Sequence, residues 1–309
     1  MQVSYHPDYF TPLPEGHPFP MGKFPALHRI LLAEGLIRLA DVVAPTEAAW
    51  EDLRLVHDET YLSALATGLL DRSAERRLGV PWSPGLIRRA RLAVQGTISA
   101  TRMALRDGIA ANLAGGTHHA FPDHGEGFCA LNDVAIAIRV LLRDGAIRRA
   151  LVVDLDVHQG NGTAAIFEHD PRIFTFSMHG ERNYPWHKMR SSRDVGLPDR
   201  MGDDAYLAAL ESHLPEVIRA AQPDLAFYLA GVDLVTGDRF GRLSLTREGV
   251  RRRDRVVLEA LRGANIPVAL VVSGGYAKTA DLTADLHAMA HREAAAVFHV
   301  ASRPFFSSA

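Results

Sequence analysis

The 309-residue sequence predicts a single α/β domain in three layers, a parallel sheet between two sets of helices. Three observations predict it. Short apolar runs bounded by Gly, Pro, Asp or Asn alternate with longer amphipathic segments beyond residue 80. No repeat, low-complexity block or linker-like shift in composition divides the chain. Most of the unusual polar content falls just after the apolar runs, where an open parallel sheet gathers its ligand-binding connections.

Taken in order, residues 1–80 read as helical and irregular trimmings on one domain spanning 1–309. A helix is expected over Ser83–Asp107, with Ser83 as N-cap and Pro84 at the first helical position. The run Ile109–Leu113 reads as a buried strand and Asn132–Arg143 as a helix. Strands follow at Ala150–Val157 and Arg172–Met178, then a helix at Asp203–Ala221. The alternation closes with strand Asp224–Ala230, helix Thr246–Arg262, strand Pro267–Val272 and helix Lys278–His299. The connections Ala114–Ala130, Asp154–Gly162, His179–Arg200, Gly231–Leu245 and Ser273–Lys278 would then meet at the carboxyl edge of the sheet.

Apolar residues make up 47% and charged residues 23%, which excludes a disordered or fibrous chain. A net charge of −2 gives no electrostatic footprint for nucleic acid or an anionic membrane. The one cysteine, Cys129, excludes an intramolecular disulfide and fits a reducing compartment. No run approaches the roughly 18 apolar residues of a membrane span, and the proline-rich start lacks a signal-peptide pattern. A cytoplasmic protein is the expectation.

The chemistry-bearing residues cluster in those connections. In a continuing strand, Asp154, Asp156 and His158 would project to one side. They read either as a solvated strand end or as a group bound to a cation, since buried carboxylates need a partner. Asp233, in Gly231-Val232-Asp233, is a turn residue or a third ligand; three ligands with an open position mark a catalytic metal site. His118 and His119 follow Gly115-Gly116-Thr117 and are either a surface pair or a proton-transfer pair. Ser273-Gly274-Gly275 would swing Tyr276 toward the core or toward a developing oxyanion. The segment Gly125-Glu126-Gly127-Phe128-Cys129 suits the wall of a narrow pocket.

Together and in this order, these motifs resemble the histone deacetylases and their bacterial relatives in the arginase/deacetylase superfamily. The resemblance runs over nearly the whole chain. Gly115–His119, Gly127-Phe128-Cys129, Asn132-Asp133, Asp154–Gly162, Ser177-Met178-His179, Gly231–Gly241 and Ser273–Tyr276 carry it. Within the family the chain looks most like class IV, on His17-Pro18-Phe19, Gly22-Lys23, Asp154–Gly162, Gly237-Asp238-Arg239 and Ser273–Tyr276 with Lys278.

The resemblance implies the arginase/deacetylase fold and one Zn2+ per chain held by Asp156, His158 and Asp233. It implies that His118 and His119 sit over the attacking water, with Asp154 on the far nitrogen of His118. Tyr276 would hydrogen-bond the substrate carbonyl. Asn161 faces His119 where class I enzymes carry an aspartate, so the two histidines should be electrostatically unequal. Gly127, Phe128, Tyr184 and Phe240 match the acyl-lysine tunnel. Relatives also bind K+ near Asp154, Asp156, His158 and Ser177. The expected substrate is an acylated lysine or a small N-acyl amine, with no signal of oligomeric state. Thr117 stands where many deacetylases place a large aromatic, beside Lys23; longer acyl groups would fit there unless Phe19 or Phe24 fills the gap. Two rival readings are a two-metal ureohydrolase and a non-catalytic acyl-lysine binder. The first needs more carboxylates after Gly231 than Asp233 and Asp238, and the second should have lost Tyr276, a ligand or a histidine.

Overall fold

The computed structural model describes residues 1–298. Short strand β1 (Gln2–Ser4) opens the chain, followed by helix α1 (Lys23–Ala33) and strand β2 (Val42–Val43). Helices α2 (Trp50–Leu53), α3 (Glu59–Thr67) and α4 (Arg72–Leu78) lead into the long α5 (Pro84–Asp107). Then come β3 (Ile109–Asn112), α6 (Asp133–Arg143), β4 (Ala150–Asp154), α7 (Asn161–Phe167), β5 (Ile173–Gly180) and β6 (Arg193–Leu197). Helix α8 (Asp203–Ala221), β7 (Leu225–Leu229), α9 (Arg247–Gly263), β8 (Val268–Val271) and α10 (Ala280–Val297) complete it.

The strands form one parallel sheet in the order β2-β1-β3-β8-β7-β4-β5-β6. Strands β3, β4, β5, β7 and β8 are buried on both faces, so they are largely apolar on both sides. Leu151, Val153, Tyr228 and Leu270 pack against α1, α8, α9 and α10; Val152, Phe227, Leu229 and Val271 pack against α5 and α6. This is the three-layer single domain that the alternation predicts. The caps stand where the residue types put them: Ser83, Asn132, Thr246 and Thr279 accept from backbone N–H groups of the first turns of α5, α6, α9 and α10. Four adjacent central strands, β3, β8, β7 and β4, send their carboxyl-end connections to one place.

Several expectations need correction. Residues 1–80 contribute β1 and β2 to one edge of the sheet, besides helices and irregular chain. The connection 179–200 contains edge strand β6, and α7 follows the Asp154–Gly160 turn. Strand β4 ends at Asp154, three residues earlier than expected, so Asp156 and His158 lie in a loop. The last helix begins at Ala280 after its cap, and His299, its expected end, lies outside the described residues.

His57 ties the N-terminal helices to the edge that carries the site. Its Nδ1–H donates to the Phe121 carbonyl at 2.8 Å and its Nε2 accepts from the Asn132 N–H at 3.0 Å. That pattern requires a neutral ring, and burial pushes its pKa down to about 4. An unfolded histidine titrates near 6.5, so the unfolded chain takes up this proton first and stability falls as pH drops from about 6.5 to about 4. The loss expected for His57 alone is about 3 kcal/mol. Denaturant titrations from pH 7.5 to 4 should show it, and a flat profile over that range would contradict the assignment.

Candidate active site

The site grows from four loops. After β3, Gly116 has φ +76, and a side chain there would press within 2.8 Å of the Ser273 backbone. Asp133, at the start of α6, holds this loop: its carboxylate accepts from the N–H of Gly116 at 3.2 Å and of Thr117 at 2.8 Å. The loop thereby delivers His118 and His119, both buried, with ring centroids 4.1 Å apart. After β4 come Asp156 and His158, after β7 Asp233, and after β8 Tyr276.

Asp156, His158 and Asp233 converge, with ligand atoms all within 4.8 Å of one another. His158 Nδ1 lies 3.0 Å from Asp156 Oδ1 and 3.1 Å from Asp233 Oδ2. They do not project from a strand face. Asp154 turns instead to His118, 2.7 Å from its Nδ1, while Asp156 accepts from the Ser273 hydroxyl at 2.8 Å and the Gly274 N–H at 2.7 Å. A Cβ on Gly274 would overlap Asp233 Oδ2, so glycine leaves the carboxylates room to meet. Two buried carboxylates side by side are unfavourable without a positive partner. Burial, then the Asp156 charge, raises the Asp233 pKa to about 7, and against burial the two carboxylates lift His158 to about 10. Two carboxylates and an imidazole, buried and convergent, fit a divalent cation, whose binding would release protons from the group.

The two histidines are unequal. Burial opposes charge on both. At His118 the carboxylates of Asp154 and Asp156 overcome it and raise the pKa to about 9. At His119 burial and the neighbouring His118 and His158 hold it well below the usual value. His119 Nδ1 lies 2.6 Å from Asn161 Oδ1, and Asn161 donates to Glu126 at 2.8 Å. A carboxylate therefore stands behind Asn161, one residue removed from the ring. Burial, with Asp156 and Asp233 nearby, keeps the Tyr276 phenol well above its ordinary range and hence an O–H donor.

Above these groups is a hollow of about 470 Å³ lined by His119, Gly127, Phe128, His158, Tyr184, Phe240 and Tyr276. The Phe128 and Phe240 rings lie with centroids 6.3 Å apart, tilted by 46°. Phe128 has φ +69, a strained conformation for a bulky residue, and its N–H donates to the Leu78 carbonyl at 2.7 Å. Beneath lies a space of only about 30 Å³, bounded by Phe19, Phe24, Arg89 and Thr117 among others. Thr117 Oγ1 turns away from it to the Leu131 carbonyl and Asp133, and Lys23, buried, donates to the Ser273 carbonyl at 2.8 Å. Phe19 and Phe24, from the N-terminal segment, line this space together with Thr117. About one or two waters would fit.

Asp238 accepts from the N–H groups of Tyr276, Phe240 and Gly241 at 2.7, 2.9 and 3.1 Å. It is thus a loop clamp outside the three-ligand cluster. Ser177 Oγ lies 2.9 Å from His179 Nδ1.

Sequence reasoning missed Arg253. Buried completely on α9, it donates to the Gly231 carbonyl at 2.5 Å and pairs with Asp254, whose carboxylate accepts from Tyr228 at 2.5 Å. It braces the Asp233 loop from below. Its position between Val250 and Val257 on the apolar stripe of α9 was the available signal. Arg253→Met should destabilise by about 3–5 kcal/mol, since Asp254 is left buried and unpaired. Replacing Asp254 by Leu as well should recover much of the loss, a comparison that denaturant midpoints can make.

A sheet of this order with such a site at its carboxyl edge is the architecture of the arginase/deacetylase hydrolases. The crystal structure of the HDA15 HD domain superposes with a TM-score of 0.79, covering 98% of this chain and 92% of that one at 22% identity. The chain belongs to the histone deacetylase family: the family's profile, "Histone deacetylase domain", matches residues 17–291. It is 50% identical over 298 residues to an uncharacterized protein of Picosynechococcus, covering 96% of this chain and 99% of that protein. Histone deacetylase 2 of Arabidopsis thaliana is 32% identical over 90% of this chain and 75% of its own length. Human histone deacetylase 1 is 29% identical over 85% and 58%. Among the described residues no helix is long and apolar enough to cross a membrane.

Proposed function

We propose that the protein is a zinc-dependent deacylase that hydrolyses the side-chain amide of acetyl-lysine or a small N-acetyl amine. The observation that carries this is a buried cluster of three ligands whose histidine, with His119 and Tyr276, floors an apolar hollow. Asp156, His158 and Asp233 would hold the ion. When bound, zinc supplies Lewis-acid chemistry, lowering the pKa of water and polarising a carbonyl.

The rest falls to side chains. Phe128 and Phe240 clasp the methylene chain and exclude water, so the electrostatics of the floor act at low dielectric. His119, held neutral, takes the proton of the attacking water, and His118, held charged by Asp154, gives one to the leaving amine. The Tyr276 hydroxyl donates to the oxyanion as it develops. The products are a free amine and a carboxylate. The bond between Asn161 and Glu126 supports His119 as the proton acceptor by orienting its ring.

Nothing favours a ureohydrolase, whose second metal would need carboxylates that Asp238 does not offer, since its oxygens clamp backbone. Potassium is not part of the proposal, because His, Cys, Asp and Glu ligands converge only at Asp156, His158 and Asp233 among the described residues and no observation points to a second cation. The class IV assignment and a cytoplasmic location belong to this reading, the first on the motifs around Gly22-Lys23 and Gly237-Asp238-Arg239, the second on cysteine usage.

The test is a series of lysine amides assayed on zinc-loaded protein. With about 30 Å³ beneath the cluster, kcat/KM should fall steadily from acetyl through butyryl to octanoyl. Octanoyl turnover matching acetyl would mean that Phe19 or Phe24 yields, and no turnover of any member, nor of acetylspermidine as a small N-acetyl amine, would remove the deacylase reading.

A further inference from the structure

The mouth of the hollow carries charge that the chemistry beneath does not use. Arg182, Arg239 and Arg242 line it, and no carboxylate does among the described residues. A second depression of about 430 Å³ adjoins it across Arg239 and Tyr276, lined by His17 and Lys278 and again by no carboxylate. Arg242 is committed to Asp199 at 2.7 Å, whereas Arg182, Arg239 and Lys278 are exposed. Of the acids nearby, Asp199 is taken up by Arg242, Asp238 clamps backbone N–H groups and Glu126 accepts from Asn161. The chain as a whole has a net charge of −2, so this local excess runs against the protein's own balance.

We propose that the acyl-amine taken by this site carries negative charge close to its scissile amide. The substrate class is an acyl-lysine flanked by carboxylates, selected by Arg239 and Arg182. The proposal deepens the deacylase reading and rests on it. A side chain reaching the floor through the hollow leaves its parent backbone at the rim, within reach of both arginines. Acidic neighbours are attracted there, while a polyamine or a basic peptide meets like charge, which discriminates as much by repulsion as by attraction. Trp186, 75% exposed on the same rim, offers a face for that backbone.

The experiment compares acetyl-lysine peptides that differ only in having Asp or Arg on both sides. At low ionic strength kcat/KM should favour the Asp peptide by about tenfold, shrinking as salt screens the rim. Arg239→Glu should invert the ratio and Arg239→Gln should reduce it. Free Nε-acetyl-lysine against its α-amide, and acetylspermidine as the cationic case, separate a small carboxylate substrate from an acidic peptide. Binding of the labelled peptides to the slow Tyr276→Phe enzyme, by fluorescence anisotropy, reads the same preference without turnover. If neither peptide is hydrolysed but the acidic one binds more tightly, the deacylase reading falls and the charge preference stands. Equal or reversed preference in the unmodified protein, or a ratio that Arg239→Glu leaves unchanged, overturns the proposal.

Discussion

Asp233→Ala is expected to lose the metal and with it essentially all turnover, while the protein stays folded. The reduction should exceed the roughly 10–100-fold that follows disturbance of an outer partner of a metal site. Asp233 is completely buried, yet its removal takes away one of two carboxylates that repel each other beside His158. The lost acceptor for the Val157 N–H, at 2.9 Å, opposes that gain. In the metal-free state the two effects offset, so the melting temperature should change little, whereas added zinc should stabilise only the unsubstituted protein. Metal content, turnover and melting with and without zinc check this together. One equivalent of metal retained at full turnover would contradict the ligand assignment.

Tyr276→Phe should lower kcat by roughly 10²–10³, the scale of removing one oxyanion donor. KM should change much less, because the hydroxyl acts on charge that appears in the transition state. Phenylalanine keeps the ring contact with Phe240, whose centroid lies 4.9 Å away, so stability should be preserved. An unchanged kcat would remove Tyr276 from the chemistry and leave the carbonyl to be polarised by other groups.

What was legible in the sequence follows from where the information resides. Strands β3, β4, β5, β7 and β8 are buried on both faces and announce themselves as apolar runs. Strand β6 is Arg-Asp-Val-Gly-Leu at an edge with one neighbour, and β1 and β2 are three and two residues long, so none carries a pattern. The candidate ligands were legible because each follows a strand directly. Their orientation was not: the strand ends at Asp154 and the loop beyond it breaks the alternation. Arg253, Asp133 and Glu126 act through backbone groups or a second side chain, contacts that exist only once distant segments meet. The space under the cluster could not be judged from Thr117 alone, because Phe19 and Phe24 line it as well.

The most direct test of the central claim is a zinc titration of chelated protein, with acetyl-lysine turnover measured at each addition. Turnover should be absent without metal, rise in proportion to zinc bound, and saturate at about one equivalent. Full turnover in the metal-free protein, or saturation only at two equivalents, would contradict a single metal held by Asp156, His158 and Asp233.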